Sequence, residues 1–202
     1  MARPPKGTDR IPISQLAELA SRSSREGADP RRPQGPVHCR VLGIDPGSRV
    51  TGYGVVEIAG NTLTHIASGA IKAMERRDTL FEDRLVTIHN ALQAVIREHR
   101  PQVASIEGVF THRNAQSALK LGQARGAVML TARLAGLDIA EYPPSRIKQA
   151  IVGYGKADKT QVQKMITLLL GIPAPEMLDT SDALAIAICH LHSIAPSRMF
   201  GA

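Results

Sequence analysis

The stretch Val41-Leu42-Gly43-Ile44-Asp45-Pro46-Gly47-Ser48 decides how the chain folds around it. Its apolar run is typical of a buried strand, and the Pro-Gly pair that follows is typical of a turn. Between them stands one carboxylate, that of Asp45. A lone buried anion is costly, so either Asp45 caps its own turn or a metal ion or a lysine compensates its charge. Taken alone, the stretch favours the capped turn, and the choice depends on the other acids of the chain.

Outward from this first strand, which we place at 40–44, the pattern predicts a meander followed by alternating helices and strands. Strand-like runs at 52–58 and 62–71, with turn residues between them, predict antiparallel neighbours of the first strand. Helical spacing covers 78–100, 114–134, 145–152, 158–170 and 179–192, and further strands are expected at 103–106 and 138–142. Asp78 is the expected N-cap of the first helix. The sequence therefore predicts an α/β domain whose five-stranded mixed sheet has helices on both faces.

The helix predicted at 114–134 contains an unusual number of small residues, among them Ala118, Gly122, Gly126 and Ala127. Small residues at helical spacing allow another backbone to approach closely. Tight packing of this helix on the sheet and contact with a second copy of the chain both explain them, and the sequence leaves the two open.

The ends of the chain differ from its middle in composition. Residues 1–38 are rich in Pro, Arg, Ser and Gly, which predicts a disordered basic extension. The folded domain is expected at 39–195, with a short tail at 196–202. The extension is interpreted in three ways: it adds non-specific attraction to phosphates, it is dispensable, or it reflects a start assigned too far upstream.

The overall composition favours an intracellular protein with a polyanionic partner. The 202 residues have a formal net charge of +7, which points first to nucleic acid, although a solvated basic surface also explains it. The two cysteines, Cys39 and Cys189, are far apart and lack metal-type spacing, as expected for a reduced pair. We see no apolar run of membrane-helix length and no signal-peptide pattern, and we expect a cytoplasmic protein.

Four acids stand at the ends of predicted elements: Asp45, Glu107, Asp179 and Asp182. Capping of the last helix explains the last two by itself, and an exposed loop explains Glu107. If the sheet brings all four together, their mutual repulsion requires cations, and hard oxygen ligands favour Mg²⁺ or Mn²⁺. Two such ions form the usual arrangement for phosphodiester hydrolysis without a covalent enzyme intermediate.

Several segments resemble the RuvC family of Holliday junction resolvases, in the order that the family has them. They are 43–47 (GIDPG), 106–110 (IEGVF), 114–115 (NA), 117–126 (SALKLGQARG), Asp179 and 182–187 (DALAIA). The resemblance implies a ribonuclease H-like fold, a homodimer, and symmetric Mg²⁺-dependent cutting of four-way DNA junctions in recombination and repair. It also implies that Asp45, Glu107, Asp179 and Asp182 are the metal-binding catalytic acids. Some members have histidine at the position of Asp179. The RuvA–RuvB branch-migration complex is an implied partner, and residues 1–38 have no counterpart.

Contacts to DNA are expected from one aromatic and several basic residues. The resemblance implies that Phe110 wedges against a base at the junction centre and that Lys148 and Lys159 approach the cut phosphate as point charges. Each of these residues also fits a blander interpretation, a hydrophobic plug for Phe110 and a solvated surface for the lysines. Generic candidates for backbone contacts are Arg113, Lys120, Arg125, Arg146 and Lys156.

Two other functional classes fit part of the pattern. The Gly-Ile-Asp-Pro-Gly-Ser segment also resembles the phosphate loop of actin-like ATPases, which have a related fold. That interpretation finds no second nucleotide-binding signature and leaves Asp179 and Asp182 unused. A non-catalytic junction-binding protein has no need of four converging acids. The leading prediction is therefore a structure-selective endonuclease, whose preferred cut sequence we cannot identify from these residues.

Overall fold

The computed structural model describes residues 38–74, 76–108 and 114–194. The predicted extension and tail, Phe110 and Arg113 lie outside these ranges, except that His38 is the first residue of a strand. The elements in chain order are β1 (His38–Asp45), β2 (Val50–Ala59), β3 (Thr62–Lys72), α1 (Phe81–His99), β4 (Val103–Glu107), α2 (Ala115–Leu134), β5 (Asp138–Tyr142), α3 (Pro144–Val152), α4 (Lys159–Leu170) and α5 (Leu178–Ile194). None of the helices in the described part of the chain is long and apolar enough to cross a membrane.

The five strands form one mixed sheet in the order β3-β2-β1-β4-β5. The first three strands are antiparallel neighbours, and β4 and β5 run parallel to β1. Ile44 pairs with Ile106 on β4, so the next residues along these parallel strands, Asp45 and Glu107, end at the same edge of the sheet. The predicted meander, the mixed sheet and its five strands are thus confirmed.

Each face of the sheet has its own apolar core, because successive side chains of a strand point to opposite faces. Val41 packs with α3, α4 and α5 on one face. Its neighbour Leu42, together with Ile44, packs with α1 and α2 on the other. The predicted helices on both faces are confirmed, and we refer below to the α5 face and the α2 face.

Helix α5 lies unusually close to the middle of the sheet because β1 and β2 carry glycines beneath it. A Cβ at Gly43 would collide with the backbone of Ala183, and one at Gly52 would collide with the backbone of Asp179. The helix itself is apolar around its circumference, and every residue from Ala183 to Leu191 is buried. The glycines therefore fix the depth at which α5 sits and the height of its first turn above β1.

The ends of α1 and α2 show how well local signals predicted helix limits. The expected N-cap Asp78 was wrong: Leu80 is the N-cap of α1 and makes no side-chain cap, while exposed Asp78 lies 3.7 Å from Arg76. Asn114 does cap α2, since its side-chain oxygen accepts from the backbone N–H groups of Gln116 and Ser117. The chain before α1 turns without an aspartate cap because Thr79 bonds both backbone groups of Arg76 instead.

Two of the small residues of α2, Gly122 and Gly126, do not serve the packing of this helix on the sheet. Among the described residues, nothing lies within 4 Å of a Cβ built at Gly122 or Gly126, whereas Ala124 and Val128 are buried against the sheet. Of the two explanations that the sequence left open, helix-on-sheet packing is therefore wrong for these two glycines.

Candidate active site

Asp45 is the last residue of β1, and the tight turn after it is closed by a buried threonine. The hydroxyl of Thr51 donates to the carbonyl of Gly47 at 2.9 Å and accepts from the backbone N–H of Gly47 at 3.2 Å. In the antiparallel ladder Asp45 pairs with Gly52. The turn thus ends the strand at Asp45 and leaves its partly buried carboxylate on the α5 face.

Glu107 is the last residue of β4 and lies on the same face. Two residues earlier, the hydroxyl of Ser105 donates to the carbonyl of Ile186 on α5 at 3.2 Å, and strand alternation places Glu107 on that side as well. Glu107 pairs with Tyr142 on β5, and the next residue, Gly108, donates its N–H to the carbonyl of Tyr142 at 2.8 Å. The end of β4 is therefore held on both sides by strands.

Asp179 and Asp182 lie in the first two turns of α5, three residues apart on one side of the helix. The helix begins at Leu178, so neither aspartate is its first residue. The backbone of Asp179 lies directly over Gly52, which is the ladder partner of Asp45. Asp182 accepts a hydrogen bond from Lys159 on α4, with 3.2 Å between Nζ and Oδ2.

The charges of these side chains act on one another strongly. Burial first, and then the charges of Asp182, Glu107 and Asp179, raise the pKa of Asp45 to about 7, while Lys159 opposes them. The pKa of Glu107 is also raised, by burial first and then by Asp182. The pKa of Lys159 is raised, mainly by its ion pair with Asp182. All four acids thus share one electrostatic neighbourhood.

The acids are neighbours, yet their side chains are not drawn together into a ligand cage. Among the described residues, no three acidic, histidine or cysteine side chains form a group that could hold a metal ion as they stand. Like charges in a partly buried site repel one another. The donor set itself, four carboxylates, fits a hard divalent cation such as Mg²⁺ or Mn²⁺.

The predicted basic residues divide into those near the acids and those away from them. Lys148, half-buried on α3, lies close enough to lower the pKa of Glu107, and Lys159 is exposed beside Asp182. Lys120 is exposed on α2. Arg125, which we grouped with generic phosphate contacts, has a side chain that is only 13% exposed and is engaged by protein acceptors.

Residues that shape the site without carrying its chemistry were missed by the sequence analysis. Thr51 closes the turn after Asp45, and Ser105 ties β4 to α5. Tyr142 links β5 to α5, because its hydroxyl lies 2.9 Å from Nδ1 of His190 and 2.7 Å from Oγ of Ser193. Their only sequence signal was a polar residue inside an apolar run, which is too common to single out.

Comparisons with known proteins agree with one another. The model of the family described as "Crossover junction endodeoxyribonuclease RuvC" matches residues 41–190. A protein of that name from Pelobacter propionicus is 56% identical over 154 residues, which are 76% of this chain and 86% of the relative. The structure titled "T. thermophilus RuvC in complex with Holliday junction substrate" superposes with a TM-score of 0.72 at 34% identity, covering 77% of this chain and 94% of that one. The yeast mitochondrial Holliday junction resolvase Ydc2, at 14% identity and a TM-score of 0.58 over 79% of this chain and 80% of its own, has the same fold.

Proposed function

The chain belongs to the RuvC family of crossover junction endodeoxyribonucleases, and we propose that it resolves four-way DNA junctions at the cluster formed by Asp45, Glu107, Asp179 and Asp182. The observation that carries this assignment of the site is the environment of Asp45. Burial and three neighbouring carboxylates raise its pKa to about 7. A carboxylate perturbed in this way, at the edge of a sheet, is typical of a functional site and not of a capped turn.

The four acids would hold divalent metal ions, and we propose Mg²⁺, two per subunit, with Mn²⁺ as a substitute. Such ions supply an activated water and stabilise the leaving oxygen of a phosphodiester. The protein's own part is to hold four anions at one sheet edge, where they repel a phosphate until their charge is neutralised. Ion binding would therefore also remove the repulsion that raises the pKa of Asp45.

Lys148 and Lys159 would bring positive charge to the phosphate that is cut. Lys148 already acts on Glu107, and Lys159 pairs with Asp182, so both ammonium groups stand beside the acids. Lysine suits this role because its compact charge binds a phosphate without a fixed fork geometry. Phe110 as a wedge against a base, and Arg113 and Lys120 as backbone contacts, remain predictions that rest on the family resemblance.

A second copy of the chain would complete the enzyme, because two cuts of like polarity match a two-fold dimer. The surface that we favour for this contact is the open side of α2. No residue in the described part of the chain lies within 4 Å of a Cβ built at Gly122 or Gly126 there, and the exposed leucines Leu119 and Leu130 are 63% and 59% accessible. Small residues flanked by exposed apolar ones fit close approach of another helix. The RuvA–RuvB complex remains the predicted partner. The cytoplasm remains the predicted location.

The alternatives are weaker. The actin-like ATPase interpretation explains only the turn after β1 and leaves the acids of α5 without a role, and the comparisons favour the nuclease. A non-catalytic junction-binding protein does not account for the raised pKa of Asp45, since such a protein gains nothing from gathered anions.

Cleavage of a synthetic four-way junction by the Asp45→Asn variant tests the proposal. We expect cutting to fall at least about 10³-fold, because an amide is a poor ligand for a hard cation. Junction affinity should stay the same or rise, because only a charge that repels phosphate is lost. Cleavage would be followed on gels with Mg²⁺ and with EDTA, and affinity in EDTA.

The wild-type protein with EDTA serves as the metal-free control, and circular dichroism of the variant checks its fold. Cutting that continues after complete chelation, or a variant that cuts as well as the wild type, contradicts the proposal. Hydrolysis of ATP without DNA would instead support the actin-like alternative.

A further inference from the structure

We propose that Arg125 is a positioning residue that fixes the end of strand β4, and thereby Glu107, and that it does not bind DNA phosphates. The proposal rests on the function assigned above to Glu107. It also reverses the sequence-based expectation that Arg125 is one of several generic phosphate contacts.

The first reason is the way in which the guanidinium of Arg125 is used. Its Nη1 donates to the backbone carbonyl of Glu107, and its Nη2 donates to the carboxylate of Glu141 at 2.5 Å. Only 13% of the side chain is exposed. Charge-assisted hydrogen bonds of this kind are the strong ones, more so where water is largely excluded. Little of the guanidinium is left for a phosphate.

The second reason is the place where the two acceptors lie. Glu107 ends β4, and Glu141 and Tyr142 end the neighbouring strand β5. The carbonyl of Tyr142 accepts a hydrogen bond from the backbone N–H of Gly108, the residue that follows Glu107. Arg125 therefore joins helix α2 to the ends of both strands at the point where the chain leaves β4. A planar fork can bridge two separate acceptors in this way, whereas a lysine offers a single point of contact.

The third reason is that Arg125 and the carboxylate of Glu107 lie on opposite faces of the sheet. Glu141 is the ladder partner of Ile106, which belongs to the core between the sheet and α2. Glu107, one residue later, points to the α5 face. Arg125 thus reaches Glu107 through its backbone from behind, and its influence on the reaction is indirect. Its charge also lowers the pKa of Glu107 against the larger effects of burial and Asp182.

The same helix provides a matched control. Arg133, two turns further along α2, donates to the carbonyl of Leu137 at 2.8 Å and to the carboxylate of Asp138 at 3.1 Å. It therefore uses the same residue type and the same kinds of acceptor. Asp138 begins β5, whereas Glu141 lies near its end, so Arg133 acts at the opposite end of the strand, away from the acids.

The test compares Arg125→Gln with Arg133→Gln in the full-length protein. Three quantities are measured: the single-turnover rate on a four-way junction with Mg²⁺, the affinity for Mn²⁺ in the absence of DNA by titration calorimetry, and junction affinity in EDTA over a range of salt concentrations. The first two report on the position of the acids, and the third reports on contacts with phosphates.

For Arg125→Gln we expect the rate and the Mn²⁺ affinity each to fall by about 10- to 100-fold, as is usual when a group that orients a ligand is removed. Junction affinity and its dependence on salt should match those of Arg133→Gln. A phosphate contact would behave differently, because its loss leaves the rate at saturating protein unchanged and reduces the salt slope by about 1. That result overturns the proposal, as does a rate and Mn²⁺ affinity within twofold of Arg133→Gln.

Two further variants keep the test decisive if Arg125→Gln does not fold. Arg125→Lys retains the charge without the fork, and Glu141→Gln weakens the anchor while leaving the arginine in place. Both should lower the rate and the Mn²⁺ affinity by a smaller factor than Arg125→Gln. If both variants match the wild type in these two quantities, the positioning role of Arg125 is refuted. If the wild-type protein does not cut junctions, the proposed function fails, while the Mn²⁺ affinities still decide the role of Arg125.

Discussion

The two ends of the β-sheet differ in whether their charged side chains have partners of opposite charge. At the end where β1 begins, Arg40 lies 2.7 Å from Glu57, its ladder partner on β2, and donates to the carbonyl of His99 at 2.6 Å. At the end where β1 stops, the charges of three other acids raise the pKa of Asp45, and Lys159 opposes them. We call the first the compensated end, because its charges are paired. We call the second the acid-rich end, because its four acids outnumber Lys148 and Lys159 beside them.

The difference between the two ends separates charges that stabilise the fold from charges that serve the proposed function. A half-buried pair such as Arg40 and Glu57 satisfies both partners, since Nε of Arg40 donates to the carboxylate of Glu57 at 2.9 Å. Uncompensated carboxylates destabilise the fold and persist in functional sites because a ligand completes them. The comparison therefore supports the proposed active site with electrostatic evidence from the structure itself.

The largest effect is expected from moving α5 away from the acid-rich end. Gly52→Ala places a Cβ against the backbone of Asp179, which cannot rotate away as a side chain would. We expect cutting to fall at least about 10²-fold, because small misplacements of catalytic groups have effects of this size. Stability should fall by roughly 1–3 kcal/mol, as in other overpacked sites. A gel assay measures the loss of cutting, and a urea titration measures the loss of stability.

Gly54→Ala is the control for this variant. Its Cβ would meet the side chain of buried Leu184 at 2.7 Å and the backbone N of Leu184 at 3.0 Å, so its closest contact is with a side chain and not with a backbone. A stability loss with largely retained cutting is expected. If Gly54→Ala and Gly52→Ala reduce cutting equally, the height of α5 above Asp45 does not matter for activity.

The next effect is a gain of stability from removing the buried charge at the same end. In the folded protein the pKa of Asp45 is about 7, against 3.8 for an ordinary aspartate. Between these values the folded state holds a proton that the unfolded state has lost, so wild-type stability falls as the pH rises from about 4 to about 7. Without metal, Asp45→Asn should be more stable than the wild type by roughly 2–4 kcal/mol above pH 7.

Urea titrations in EDTA at several pH values measure this difference. It should shrink toward zero as the pH falls below about 3.8, where Asp45 becomes protonated in the unfolded state as well. Addition of Mg²⁺ should also reduce the stability difference, because the ion stabilises the wild type and not the variant. A stability difference that does not change with pH contradicts the raised pKa.

The smallest effect is expected at the compensated end. Arg40→Met leaves the carboxylate of Glu57, 18% exposed, without its partner, and should lower stability by about 1–3 kcal/mol. Cutting by the folded variant should be unchanged, because this end lies far from Asp45 along the strand. Thermal unfolding and the junction assay measure the two quantities.

The double variant Arg40→Met, Glu57→Met separates loss of the pair from burial of a lone charge. It should recover much of the lost stability, since two apolar partners leave no unpaired anion. A junction assay in which Arg40→Met alone abolishes cutting would contradict the division between the two ends.

The sequence predicted the sheet and most element limits because those depend on local patterns. The run 41–44 and the following Pro-Gly pair placed β1 and its turn. Helical spacing placed the start of the next helix at Asn114, which the structure shows to be the N-cap of α2. The prediction of Asp78 as an N-cap was wrong because it also depended on a local pattern. Aspartate is a good cap in general, but here Thr79 bonds the backbone of Arg76 and the helix begins later. Local preference is a weak guide where a neighbouring residue offers another set of hydrogen bonds.

The sequence by itself determined that this chain forms a mixed α/β sheet and which four acids merit attention, because periodicity and motif order are properties of the chain alone. Only the tertiary structure decided that α5 sits on glycines of β1 and β2, bringing Asp179 over the partner of Asp45. It alone also decided that Arg125 faces inward to Glu107 and Glu141 while Lys120 stays in water. The physical reason is that burial and the distance between charges depend on residues that are far apart in the chain.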